Sequence, residues 1–177
     1  IGPSALAEFL GYSVMTISRA FDELESAGLI VPMDTGRGKD RYLHLAASKS
    51  EIWMKAQPIL RTPVKVSHVI RLPGNAELPG PLAGQSALAR YSMLAEPRNT
   101  TIALSRDDWK KFQQKEGVFR AYETDPGAVV VEVWRYAPTL FASEGTVHRL
   151  SLYLSLRSLR DERVEIALEE MIEEMSW

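Results

Sequence analysis

The chain has 177 residues, 45% of them hydrophobic and 25% charged, which is typical of a soluble globular protein, and its lack of cysteine excludes disulfides and thiolate metal sites. Its net charge is -2, but residues 121 to 177 carry five basic against eleven acidic residues, so the remainder is net basic and leaves room for an anion-binding surface. No apolar run approaches the roughly 20 residues of a membrane span, so we expect a cytoplasmic protein without a membrane partner.

The first 28 residues predict two helices. Residues 3 to 10 (PSALAEFL) suit a short helix that Gly11 ends. Ser13 is suited to cap a second helix, and Gly28 stands where such a helix ends. The apolar positions of this second helix recur every three or four residues and predict its buried stripe: Val14, Ile17, Phe21 and Leu24.

A hairpin is predicted next. Residues 29 to 31 begin a strand, which Pro32 restricts to a sheet edge. The turn-rich tip DTGRGKD follows, and residues 41 to 45 (RYLHL) alternate like a returning strand. The order helix, turn, helix, hairpin is that of a winged helix-turn-helix.

From about residue 46 the pattern becomes mixed. A short helix ends before Pro58 and a linker follows. Strands are predicted over 64–72, 99–105 and 128–136, and helices over 85–95, 105–115 and 163–175. Residues 149 to 159 alternate like a strand, although their length and lack of turn residues favour a helix. We therefore expect an α+β fold, with a winged helix-turn-helix over residues 1–62 and a mixed α/β domain over 63–177.

The polar face of the second helix suggests contact with DNA. Met15, Thr16 and Arg19 lie opposite the apolar stripe, and Tyr12 comes just before them. Arginine can hold a guanine bidentately, and threonine or methionine can contact a thymine methyl group. The N-terminal turns of a recognition helix make most of the base contacts, so these residues are predicted to read the major groove.

The hairpin tip is basic. Arg37, Lys39 and Arg41 alternate with glycines and an aspartate, which would place three cations along one side of an extended loop. Glycines allow the backbone to approach a phosphate closely. The alternative is an ordinary solvated charge cluster. Ser13 can likewise donate to a phosphate oxygen or simply cap its helix, and capping is the simpler role.

Residues 3 to 45 resemble the winged helix-turn-helix of bacterial transcription regulators of the MarR and related groups, in the stretch SALAEFLGYSVMTISRAFDELESAGLI and in the wing-like GRGKDRYLHL. The resemblance implies a repressor of transcription that binds double-stranded DNA. It implies base contacts from Tyr12, Met15, Thr16 and Arg19. It implies DNA-backbone contacts from Ser13, Arg37, Lys39 and Arg41. Such domains normally have a helix before the pair, so we expect that helix upstream of Ile1 or in another segment.

Residues 81 to 105 resemble, more distantly, the C-terminal part of antitoxins from type IV toxin-antitoxin systems, through a Ser-Ala-Leu helix followed by a strand. This resemblance implies a protein that counteracts a nucleotidyltransferase toxin. The second domain is thus expected to mediate dimerisation, ligand sensing or partner binding. We expect a homodimer, because one recognition helix makes few contacts. A protein-interaction module without DNA binding is the remaining alternative.

Catalytic chemistry is not indicated. His44, His68 and His148 are isolated, and no metal-binding spacing or phosphate-binding loop is present. The carboxylates of residues 169 to 174 fall on the polar side of the last helix. We therefore expect no enzyme activity, no catalytic or metal site and no cofactor.

Overall fold

The computed structural model describes residues 1–32, 43–74, 76–115 and 117–177. These residues form a mixed α+β structure, which confirms the α+β part of the predicted fold. The chain divides into two compact units, residues 1 to 60 and residues 61 to 176.

Over residues 1–32 and 43–60, the N-terminal unit contains three helices and one two-stranded antiparallel sheet. The helices are α1 (Pro3–Leu10), α2 (Val14–Ser26) and α3 (Lys49–Ala56), and the strands are β1 (Ile30–Pro32) and β2 (Leu43–Leu45). Ile30 lies opposite Leu45 in the sheet. The tip between the strands, with Arg37, Lys39 and Arg41, lies outside the described residues.

Two local features separate α1 from α2. Gly11 ends α1 in the left-handed conformation, with φ 71°, which glycine adopts without a steric penalty. The Ser13 hydroxyl then accepts a hydrogen bond of 3.1 Å from the amide of Thr16 and caps α2. The predicted turn and cap are therefore confirmed.

The core of this unit does not include every residue of the predicted stripe. One cluster consists of the buried Ala7, Ile17, Phe21 and Ile30, with Leu24 packed against them, and Leu29, Trp53 and Ala56 are also buried. Val14 is 48% exposed, so its assignment to the buried stripe is wrong. Val14 is the first residue of α2, one turn before the core begins at Ile17.

The C-terminal unit is built on a four-stranded sheet. Its strands are β3 (Val64–Arg71), β4 (Thr100–Ser105), β5 (Phe119–Arg120) and β6 (Ala128–Trp134). Its helices are α4 (Gly84–Leu88), α5 (Arg106–Phe112), α6 (Arg149–Leu156) and α7 (Glu162–Glu173). The strand order is β4-β6-β3-β5, in which β4 and β6 are parallel and the other pairs are antiparallel.

Helices cover this sheet on both faces. Successive side chains of a strand point to opposite sides, so Ala103 faces away from Ile102 and Leu104. Ala103 and Trp134 pack in one core with α4, α6 and α7. Ile102 and Leu104 pack in a second core with Phe112 of α5. The strand β6 lies between these two cores.

Two helices test the sequence predictions in this unit. The ambiguous segment 149–159 contains a helix, α6, because Leu152 and Leu156, one turn apart, both enter the larger core. The helix predicted over 85–95 is wrong in length, since α4 ends at Leu88. Beyond it the Ser92 hydroxyl donates to the Leu88 carbonyl oxygen, and the chain leaves the helical path.

Leu168→Ala should lower the free energy of unfolding by about 2–5 kcal/mol, because Leu168 is buried in the larger core and its loss leaves a cavity. Urea unfolding followed by circular dichroism measures the change. Ile166→Ala is the matched control on the same helix, since Ile166 is 49% exposed, and should cost less than about 1 kcal/mol. Equal losses for the two variants would contradict this assignment of the core.

Candidate nucleic-acid interface

The first turns of α2 form an exposed surface. Met15 is 66% exposed, and Tyr12, Thr16 and Arg19 are also exposed. The backbone amide of Tyr12 donates to the Ala7 carbonyl oxygen at 3.0 Å, which ties the turn to the end of α1. Five of the eight predicted DNA contacts, including Ser13, therefore lie together around the start of α2. Arg37, Lys39 and Arg41 lie outside the described residues.

Ser13 and Thr16 are bonded to each other. Besides accepting from the Thr16 amide, the Ser13 hydroxyl shares a hydrogen bond of 2.8 Å with the Thr16 hydroxyl. The structure thus places Ser13 as the cap of α2, as its simpler role predicts. The same bond holds the Thr16 side chain in one orientation on the exposed face, which reduces the rotamer entropy that a contact there must overcome.

Val14 adds an exposed apolar side chain to this surface, although the apolar pattern predicts it in the core. Together with Met15 and Tyr12 it gives the start of α2 a mixed apolar and basic character. We call the set Tyr12, Val14, Met15, Thr16 and Arg19 the α2 surface.

The remaining titratable residues give no indication of a metal centre. In the part of the chain that the structure describes, no three His, Asp or Glu side chains are grouped to hold a metal ion. His68 stacks on Trp109 with the ring centroids 4.6 Å apart. Burial lowers the pKa of His68, and the positive charge of Arg120 lowers it further by a smaller amount. Glu169, Glu170, Glu173 and Glu174 are exposed on α7.

Glu132 is a buried carboxyl group that the sequence analysis did not single out. It lies in β6, where it is paired in register with Ala103 of β4 and Ser67 of β3. The indole nitrogen of Trp134 donates to its Oε2 at 2.9 Å. Burial raises the pKa of Glu132, and the bond from Trp134 opposes that change. A single glutamate within a strand gave no sequence signal of this environment.

No helix over the described residues is long and apolar enough to cross a bilayer. Comparison of the chain with protein families, curated proteins and solved structures finds no match. A functional assignment must therefore rest on the arrangement of this chain's own residues.

Glu132→Gln should become increasingly stabilising relative to the native chain as the pH rises above about 4.5, the ordinary glutamate value. Because the pKa of Glu132 is raised on folding, the folded protein binds this proton more tightly than the unfolded chain. Native stability is therefore lost as the pH rises through the raised value. Glutamine keeps an acceptor for Trp134 but does not titrate. Urea midpoints of both proteins between pH 4 and 8 measure the difference, and a difference independent of pH would contradict the prediction.

Proposed function

We propose that the N-terminal unit binds double-stranded DNA through the α2 surface and that the protein represses transcription. The observation that carries the proposal is the exposure of Met15, Thr16 and Arg19 on the first turns of a capped helix. A tight left-handed turn at Gly11 joins this helix to the preceding one. A two-stranded antiparallel hairpin follows the helix pair. This element order supports a winged helix-turn-helix.

The chemistry of the α2 surface fits a major groove. Arg19 offers a guanidinium group for the O6 and N7 atoms of a guanine, which is the commonest specific contact to a base. Met15 offers apolar contact to a thymine methyl group. Thr16, whose hydroxyl is already paired with Ser13, offers its methyl group to the same kind of partner. Tyr12 precedes the helix and is placed to contact the backbone or a flanking base.

Two further parts complete the proposal. Arg37, Lys39 and Arg41, predicted on the wing, would contact phosphates and add a strong dependence on salt. A homodimer would place two copies of the α2 surface on half-sites about one helical turn of DNA apart. The C-terminal unit is proposed to supply the dimer contacts or a sensing site.

Arg19→Ala should weaken binding to operator DNA by roughly 5- to 150-fold, which corresponds to the loss of about 1–3 kcal/mol for a bidentate base contact. The operator is first selected from sheared genomic fragments, and fluorescence anisotropy of the full chain on that duplex gives the affinities. Arg37→Ala should weaken binding to all sequences alike and make the dependence on salt less steep.

Lys55→Ala is the matched control for Arg19→Ala, because it removes one exposed cation from α3 of the same unit. It should change the affinity less than about twofold by the weak effect of a distant charge. Failure of the full chain to bind any duplex at low salt would overturn the proposal, and so would equal effects of the two substitutions.

The exposed apolar residues favour a second candidate function, in which the α2 surface docks a protein. Val14 has no assigned part in reading DNA, yet it is exposed next to Met15 in the first turn of α2. A protein interface is typically apolar at its centre, with arginine and aromatic residues enriched. The partner is then a second copy of this chain or a toxin of the nucleotidyltransferase class, as the resemblance of residues 81 to 105 implies.

Val14→Ser distinguishes the two functions. If the α2 surface reads DNA, this substitution should leave operator affinity within about twofold, because Val14 makes no proposed base contact and serine remains compatible with a helix start. If the surface joins two copies of the chain, Val14→Ser should shift the protein toward the monomer in sedimentation equilibrium. An unchanged monomer–dimer equilibrium together with loss of DNA binding on Arg19→Ala excludes the docking of a second copy.

A further inference from the structure

A cavity of about 270 Å³ lies in the C-terminal unit, between the segment that precedes α6 and the residues that follow α4. Tyr91, Phe141, Glu144, His148 and Arg149 line it, and Ser143, Val147 and Met175 form the remaining wall. Benzene fits a cavity of about 150 Å³, and pockets for drug-sized ligands begin near 300 Å³. The volume therefore suits a molecule of one or two rings.

The backbone of the cavity wall is strained. Among the described residues, Phe141 (φ 60°) and Glu144 (φ 51°) are the only ones other than glycine with a positive φ, and both line this cavity. Residues other than glycine rarely adopt a positive φ, and such backbone strain concentrates at ligand clamps. Phe141 is also 59% exposed, so burial of its own ring does not explain its position.

The strained segment is held rigidly. Ser143 and Thr146 exchange backbone hydrogen bonds of 3.1 and 2.9 Å, and the two residues between them, Glu144 and Gly145, both have positive φ, as in a type I′ turn. Leu82 donates to the Gly145 carbonyl oxygen at 2.8 Å and accepts from the Val147 amide at 3.0 Å. Asparagine, aspartate or glycine would fit the position of Glu144 better, so the turn itself does not require glutamate.

Arg149 provides a positive charge in this cavity. Its guanidinium carbon lies 4.5 Å from the centre of the Tyr91 ring, and the Tyr91 hydroxyl is hydrogen-bonded to the hydroxyl of Thr146. No carboxylate lies within ion-pair distance of Arg149 in the described ranges, although Glu144 lines the same cavity. The tyrosine therefore orients a planar cation whose hydrogen-bond donors are not used by a carboxylate.

His148 adds a polar edge. Its ring meets the Phe141 ring edge to face at 5.9 Å. Burial lowers the pKa of His148, and the charge of Arg149 lowers it further. His148 also precedes the first residue of α6, but its side chain does not cap that helix. The aromatic wall, the cation, the imidazole and the strained carboxylate thus surround one small volume.

We infer that this cavity binds a small heteroaromatic carboxylate whose ring carries an N–H group. The ligand ring lies against the exposed face of Phe141, its carboxylate pairs with the Arg149 guanidinium, and its N–H group donates to Glu144. The two charged residues can make these contacts because they are not paired with each other. This site stands whether or not the N-terminal unit binds DNA.

Indole-3-acetate is a suitable probe, because it combines two rings, a ring N–H group and one carboxylate. In a titration of the ¹⁵N-labelled full chain, saturable shifts should be confined to the amides of residues 141 to 149 and those around Tyr91. Arg149→Gln should weaken binding roughly tenfold or more through loss of the charged hydrogen bonds. Arg160→Gln, an exposed arginine outside the cavity, is the control and should leave the affinity unchanged. Indole-3-acetamide should bind the native chain as weakly as the acid binds Arg149→Gln.

Glu144→Asn tests the strained residue without disrupting the turn. Asparagine tolerates a positive φ, so the melting temperature should rise while the affinity for indole-3-acetate falls severalfold. Shifts spread over the whole chain, or equal binding by native protein and Arg149→Gln, would overturn the inference. An unchanged affinity of Glu144→Asn would also contradict it, because the N–H contact would then be absent.

Discussion

The C-terminal unit depends on one strand, β6, that is buried on both faces and paired on both edges. It pairs with the parallel strand β4 on one edge and with the antiparallel strand β3 on the other, with one irregularity in register between Val64 and Val66. A strand in this position must present apolar side chains alternately to two cores, and AVVVEVW does so with Val129 and Val131 on one side and Trp134 on the other. Side chains of β6 and of its neighbour β4 together form the two surfaces on which α5 and the α4, α6 and α7 group pack.

Glu132 is the exception in this strand. A carboxyl group there costs stability unless it stays protonated or finds a strong donor, and the indole N–H of Trp134 supplies one bond. Gly84 approaches the same carboxyl group so closely that an added Cβ would lie 3.3 Å from Oε1. The start of α4 therefore packs tightly on this part of the sheet.

The cavity of the C-terminal unit is connected to the same sheet through its lining turn. Leu82 links the strained 143–146 turn to a chain segment that bonds to β4, since Ala83 donates to Thr101 and Ala103 donates to Pro81. Because packed elements deform little, this connection can hold Phe141 and Glu144 in conformations that an isolated loop would abandon.

Sequence patterns by themselves determined most of the elements. Alternation predicted β3, strand-favouring residues predicted β4 and β6, and apolar spacing with caps predicted α1, α2 and α7, because these signals depend on the chain's local geometry. The same patterns placed five of the residues that are predicted to contact DNA at the start of α2, around its cap Ser13. Tertiary structure alone decided which apolar residues are buried: Val14 fits the apolar stripe of α2 but is 48% exposed, outside the core. It also decided the burial of Glu132 and the meeting of Tyr91 with Arg149, 58 positions later, since such proximity arises only when distant segments pack together.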